Sequence, residues 1–147
     1  MTNDLKYPEE VKDEAIERCL RLGAPNAKKP RKIYLAAPYS ARLADGTIDY
    51  PKIFERFQLI NKMAGQLMQA GLIVFSPISH SHPIAEAIGD HLNHDFWLAQ
   101  DFEFVKWADE IWVYKLPGHE TSTGIKRELA LAEKLCKPVR YLEGDYA

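Results

Sequence analysis

Cysteine is scarce in this chain. Cys19 and Cys136 are the two in 147 residues, and they stand far apart with no C-x-x-C. That pattern leaves no basis for a disulfide framework or a zinc knuckle. Free thiols, and a polar, acidic start unlike a signal peptide, point to a cytoplasmic protein. Long apolar runs are missing too, and none approaches the length that spans a bilayer. Neither sign of charge dominates. The net charge is −2, which argues against a nucleic-acid polymer or an anionic membrane as partner and leaves a small nucleotide as the nearest candidate of that kind. There is no internal repeat, no low-complexity tract and no H-E-x-x-H. What is present is 46% hydrophobic and 27% charged, the balance of one soluble domain with a real core.

The chain alternates between two periodicities. Residues 8–23 form an amphipathic pattern with Pro8 in its first turn and Gly23 as its stop, followed by the polar linker "APNAKKPRK". "KIYLAAPY" (32–39) reads as a buried strand, and "SARLADGTIDY" as a loop with a D-G turn. Pro51 opens a helix whose Ile53, Phe57, Ile60, Ala64 and Leu67 share a face, with Gly71 at its C′ position. "LIVFSP" (72–77) is a second strand, and residues 78–93 read as a long connection with one short helix. A helix over 94–109, a strand over 110–116, a loop, a helix opening near 121 and a strand over 137–142 complete the chain. Strands separated by helices of this length predict parallel βαβ units. The expected fold is a flavodoxin- or Rossmann-like three-layer α/β sandwich with four to five parallel strands in the order 2-1-3-4. Residues 1–30 form an N-terminal helix and linker, and 31–147 form the α/β domain. Ligands of such sheets bind at the carboxyl ends of the strands, here the loops after Pro38, Ser76 and Leu116.

Two acids stand on faces where acids are costly. In the last helix Ile125, Leu129, Ala132 and Cys136 make a stripe, and at about 100° per residue Glu128 falls inside it. In the 94–109 helix Asp101 points into the apolar side, between Trp97 and Leu98 one turn before and Phe104 and Val105 one turn after. A buried carboxylate costs several kcal/mol unless it is paired. No arginine shares either apolar face. An acid at a helix edge can still reach solvent, and that plainer reading stays open for Glu128. Together the two read as acids of one cleft, one ionised and one holding a proton.

The loop before Glu128 adds Ser122 and Gly124 at a helix N-terminus, which suits a phosphate or another anion and equally suits plain N-capping. Ser40 and Arg42, after the first strand, form a second candidate anion site beside the alternative of a solvated loop. "SHSHP" places His80 and His82 two apart, with His91, His94 and Asp95 following. Such a set can ligate Zn²⁺, although no established ligand spacing is present. His80 or His82 could instead touch a substrate directly.

"IYLAAPYS", "QDFEFVKWADEIWV" and "STGIKRELALA…KPV" together resemble the nucleoside 2-deoxyribosyltransferase superfamily, which includes the 2′-deoxynucleoside 5′-monophosphate N-glycosidases. The resemblance spans roughly residues 32–142. "VFSPISHSHPI" and "LPGHETSTGIKRE" are closer to a bacterial and phage branch of unassigned activity. It implies Glu128 as catalytic glutamate, Ser122 on the sugar-phosphate side, Asp101 near sugar and leaving base, Tyr34 near the substrate, where it could hydrogen-bond Glu128 and hold its rotamer, and Asp109 as a structural residue ending its helix. It also implies a homo-oligomer, a small-molecule nucleoside or nucleotide as substrate, and no metal or organic cofactor. Relatives that take monophosphates carry a glycine- and arginine-containing loop after the first strand. Here "PYSARLADG" offers Arg42 alone. The expected reaction is cleavage of an N-glycosidic bond by hydrolysis or transfer, through a glycosyl ester of Glu128. The alternatives are a nucleotide-binding module without chemistry and a histidine-ligated metal-dependent hydrolase.

Overall fold

The computed structural model describes residues 13–23, 29–90 and 93–146. Ten elements follow in order. They are α1 (Glu14–Leu22), β1 (Lys32–Ala36), α2 (Tyr50–Gln69), β2 (Ile73–Phe75), α3 (Pro77–Ile88), α4 (His94–Trp107), β3 (Glu110–Tyr114), a 3₁₀ turn (His119–Thr121), α5 (Thr123–Lys134) and β4 (Val139–Leu142). The strands form one parallel sheet in the order β2-β1-β3-β4. The order switches between β1 and β3, so their carboxyl ends open the crevice where such sheets hold ligands.

The two faces of β1 sort the core into layers. Ile33 and Leu35 pack with Trp112 of β3 against Ile60, Met63, Ala64 and Leu67 of α2. Tyr34 and Ala36 face the other way, with Ile111 and Val113, onto Val105 of α4 and Ile125 and Ala132 of α5. Alternation along a strand is what separates these sets. The central strands are buried on both faces, whereas β2 and β4 are partly exposed edges. This arrangement is the three-layer sandwich expected from the periodicities.

Local chemistry sets the boundaries. Asp49 caps α2 by accepting from Lys52 N at 3.1 Å, with a proline at its start, and Gly71 follows its end at φ +92°. Asp109 does structural work as expected: its Oδ2 accepts from Lys32 N at 2.9 Å and its own N–H donates to Lys32 O, tying the end of α4 to the start of β1. Residues 77–88 depart from the expected mostly irregular connection. They form a full twelve-residue helix that begins at Pro77, where no N–H is needed, and carries Pro83 inside it. Gly89, at φ +69°, ends it. The second strand is correspondingly shorter than expected, since Ser76 serves as N-cap of α3. Cys136 also departs from the expected stripe. α5 ends at Lys134, and Cys136 is exposed in a left-handed conformation (φ +54°). The described part of the first helix is α1, capped by Asp13, whose Ala15 and Leu22 are exposed. Pro8 and Val11 of the expected 8–23 helix lie outside the described residues. No described helix is long and apolar enough to cross a membrane.

Candidate active site

A cavity of about 430 Å³ opens at the carboxyl end of the sheet. Its walls come from four places: residues 37–40 after β1, Arg56 of α2, α3 with the first half of α4, and residues 118–128 leading into α5. Asp101 and Glu128 both line it. Glu128 is 7% exposed, and the phenol of Tyr34, reaching from β1, donates to its Oε1 at 2.9 Å. Its Oε2 is buried with no hydrogen-bond partner among the described residues. Neither acid has a basic partner among the described residues, so the usual compensation for a buried carboxylate is absent.

The electrostatics follow from this placement. Burial pushes the Asp101 carboxyl up to about 7. Burial, and then the charge of Asp101, push Glu128 up to about 8, while the hydrogen bond from Tyr34 opposes the rise. Burial first, and then the charges of Glu128 and Asp101, push Tyr34 well above its ordinary value, so it stays a neutral donor. At neutral pH the two acids therefore hold about one proton between them. One can act as an anion and the other as a proton donor.

The opposite wall is basic and aromatic. Arg56 Nη1 donates to the carbonyls of Ser40 (2.7 Å) and Tyr39 (3.3 Å), and Nη2 donates to Pro117 O at 2.9 Å. One guanidinium thus ties the loop after β1 to the loop after β3 and shapes the cavity mouth. His82 is buried against Phe57 (centroids 4.1 Å apart, stacked); its Nδ1 is bonded to the Tyr39 hydroxyl, and its Nε2 lies 3.1 Å from Glu86 Oε1. Arg56 Nε, Trp97 Nε1 and Glu128 Oε2 are buried without a hydrogen-bond partner among the described residues, and all three residues line this cavity. Such groups cost roughly 1–3 kcal/mol each and are few in native proteins. Their gathering around one hollow makes it the candidate site for a polar ligand.

The expected residues divide as follows. Asp101, Glu128, Ser122, Gly124, Ser40 and His82 line the cavity, and Tyr34 stands directly behind Glu128. Ser122 is also the N-cap of α5, accepting from Ile125 N at 3.3 Å. Arg42 does not reach the cavity. Its Nη1 donates to Gly46 O at 2.7 Å and closes a small hairpin through the Arg42–Ile48 bridge. His80 is exposed and leans on Phe75 and Phe104, outside the cavity. Among the described residues no three His, Cys, Asp or Glu side chains gather as metal ligands would, and His91 lies outside them. Among the aromatic rings, Trp97 lines the cavity, whereas Phe75 stacks on Phe104 in the core and Trp107 lies under Lys32. Tyr39 and Arg56 escaped the sequence reading. For Arg56 a signal existed, because it follows Ile53 by three and precedes Ile60 by four on the buried stripe of α2.

Gly118, beside the Arg56 clamp, holds a backbone conformation that side chains rarely adopt. Its φ is +98°, and a Cβ there would lie 2.9 Å from Arg56 Nη2. Gly118→Ala is expected to lower stability by about 1–2 kcal/mol, read as a lower urea midpoint with an unchanged slope.

Comparison with known proteins agrees with this architecture. The 2-deoxyribosyltransferase of the psychrotolerant bacterium Bacillus psychrosaccharolyticus, characterised as a biocatalyst for the synthesis of antiviral and antitumoral nucleosides, superposes with a TM-score of 0.54 at 28% identity, over 79% of this chain and 74% of that one. Among curated proteins no sequence match is found. A family model described as a domain of unknown function, DUF1937, matches residues 31–143, nearly the whole α/β unit. With that match, on a sheet of order 2-1-3-4 whose crevice holds two unpaired acids, the chain belongs to the DUF1937 family.

Proposed function

We propose that this protein cleaves the N-glycosidic bond of a deoxynucleoside, nucleoside or 5′-monophosphate, by hydrolysis or by transfer to a second base. The observation that carries the reading is the Glu128 carboxylate. It is buried, held at one oxygen by Tyr34, unpartnered at the other, and set in a cavity with Asp101 and no basic partner. The likeness to a 2-deoxyribosyltransferase supports it. A cavity of about 430 Å³ falls in the range that takes one nucleoside-sized ligand.

The reactive state is the one in which the shared proton, held more tightly by Glu128 at rest, has moved to Asp101; ionised Glu128 then attacks C1′ as the C1′–N bond breaks, and the bonding pair leaves with the base. Asp101 gives its proton to that base. The developing positive charge on the sugar ring lies next to a desolvated anion, where the attraction is strong. Water, or a second base, then attacks C1′ and releases Glu128. Asp101 takes up the proton of the incoming nucleophile, which restores the starting state. Tyr34 keeps Glu128 in one rotamer throughout. Ser122 and the amides opening α5 suit the sugar hydroxyls or a 5′-phosphate.

The test is a chromatographic screen of nucleosides and their monophosphates for released base, run beside Glu128→Ala. Release by the natural chain and its loss in the variant are expected. A ligand-dependent rise in melting temperature with no turnover on any member would instead mark a binding module.

A further inference from the structure

Trp97 has no part in the chemistry above, yet its placement is unusual. It lies four residues before Asp101 on α4, so the two side chains occupy one helix face about one 5.4 Å turn apart. It lines the cavity together with Leu98 of its own helix and with Pro77, Ile78 and Ala85 of α3, apolar side chains that share the hollow with it. Phe96 meets its ring edge-on at 4.9 Å. Tryptophan in a packed interior ordinarily finds a partner for its N–H. Here the indole Nε1 is buried with no acceptor among the described residues, one turn from an acid of the reacting pair.

On the reading of the site given above, we infer that Trp97 recognises the departing base and helps it leave, its indole N–H donating to an acceptor that flanks the glycosidic nitrogen. That acceptor is N3 or N7 of a purine, or the C2 carbonyl of a pyrimidine. A small rotation of the indole as the base enters brings the two together, a side-chain adjustment common on binding. No proton leaves the indole. As the C1′–N bond breaks, its electron pair passes into the base and the flanking acceptor gains negative charge. The hydrogen bond therefore strengthens toward the transition state and adds to the rate as well as to affinity. The apolar side chains that line the same cavity, Leu98, Pro77, Ile78 and Ala85, help to exclude water from that bond and give the base a surface to lie on.

The experiment compares bases that differ by that one acceptor. Calorimetric affinities of adenine, 3-deazaadenine and 7-deazaadenine, and of uracil and 2-thiouracil, whose C2 sulfur is a far weaker acceptor, are measured for the natural chain and for Trp97→Phe, which keeps a ring and removes the N–H. The natural chain is expected to bind one parent base at least about fivefold more tightly than its analogue with that acceptor missing or weakened. Trp97→Phe, with its melting temperature little changed, is expected to erase that difference and to slow base release about tenfold. The inference is overturned if the natural chain separates no parent from its analogue, if Trp97→Phe weakens parent and analogue equally, or if no base binds. Discrimination between bases with no nucleoside cleaved would leave the recognition standing and remove the glycosidic reading. Cleavage at an unchanged rate by Trp97→Phe would do the reverse.

Discussion

Glu128→Gln is expected to lower turnover at least about 10³-fold while leaving nucleoside binding within a few-fold. The substitution keeps the shape of the side chain and an oxygen for Tyr34 to donate to, so the 2.9 Å hydrogen bond has a counterpart in the variant. It removes the anion. An amide oxygen neither attacks C1′ usefully nor stabilises positive charge on the sugar. The loss should appear in kcat, because the anion acts mainly once charge has developed. Glu128→Ala should be as inactive. Steady-state base release beside calorimetric binding separates the two effects. A variant that still turns over at a tenth of the natural rate would remove Glu128 from the chemistry.

The second large effect concerns stability. Asp101 and Glu128 titrate near 7 and 8 in the folded chain, against ordinary values of 3.8 and 4.5. Both hold their protons more tightly folded than unfolded. Below about pH 3 both states are protonated and the pair carries no stability penalty. As pH rises toward 8 the unfolded chain has already ionised, the folded chain resists, and stability falls. Glu128→Gln is neutral at every pH and escapes its share of that fall. The variant should therefore be the more stable protein at pH 8, by on the order of 3 kcal/mol or a melting temperature roughly 6 °C higher, with the gap closing toward pH 4. Melting curves from pH 4 to 9 read this directly. A gap independent of pH would mean that Glu128 carries no raised affinity for its proton. Loss of activity with gain of stability is the behaviour of a residue kept for function at a cost to the fold.

Much of this was legible in the sequence, for identifiable reasons. Sheet order follows from short apolar strands divided by long amphipathic helices. Asp101 and Glu128 announced themselves because helical periodicity is regular enough to show an acid on an apolar face. The same wheel would have shown Arg56, which sits on the α2 stripe as Glu128 sits on that of α5. Other features depend on the path of the chain through space. Arg42 follows Ser40 by two residues, yet its guanidinium turns back to Gly46 while Ser40 lines the cavity. His80 and His82 share a helix, and two residues along a helix differ by about 200°, so one faces the cavity and the other leaves it. Pro83 disguised that helix, since proline usually ends one. The unpaired indole of Trp97 is invisible to any pattern, because a missing partner is a property of packing.

The proposed chemistry requires a sugar to become attached to one side chain, Glu128. Mass spectrometry of the protein quenched in acid during turnover, followed by peptide mapping, measures that attachment. The predicted result is a single glycosyl adduct on the peptide containing Glu128, present with substrate and absent in Glu128→Gln. Base released rapidly with no adduct at any quench time, or an adduct carried by another residue, would contradict it.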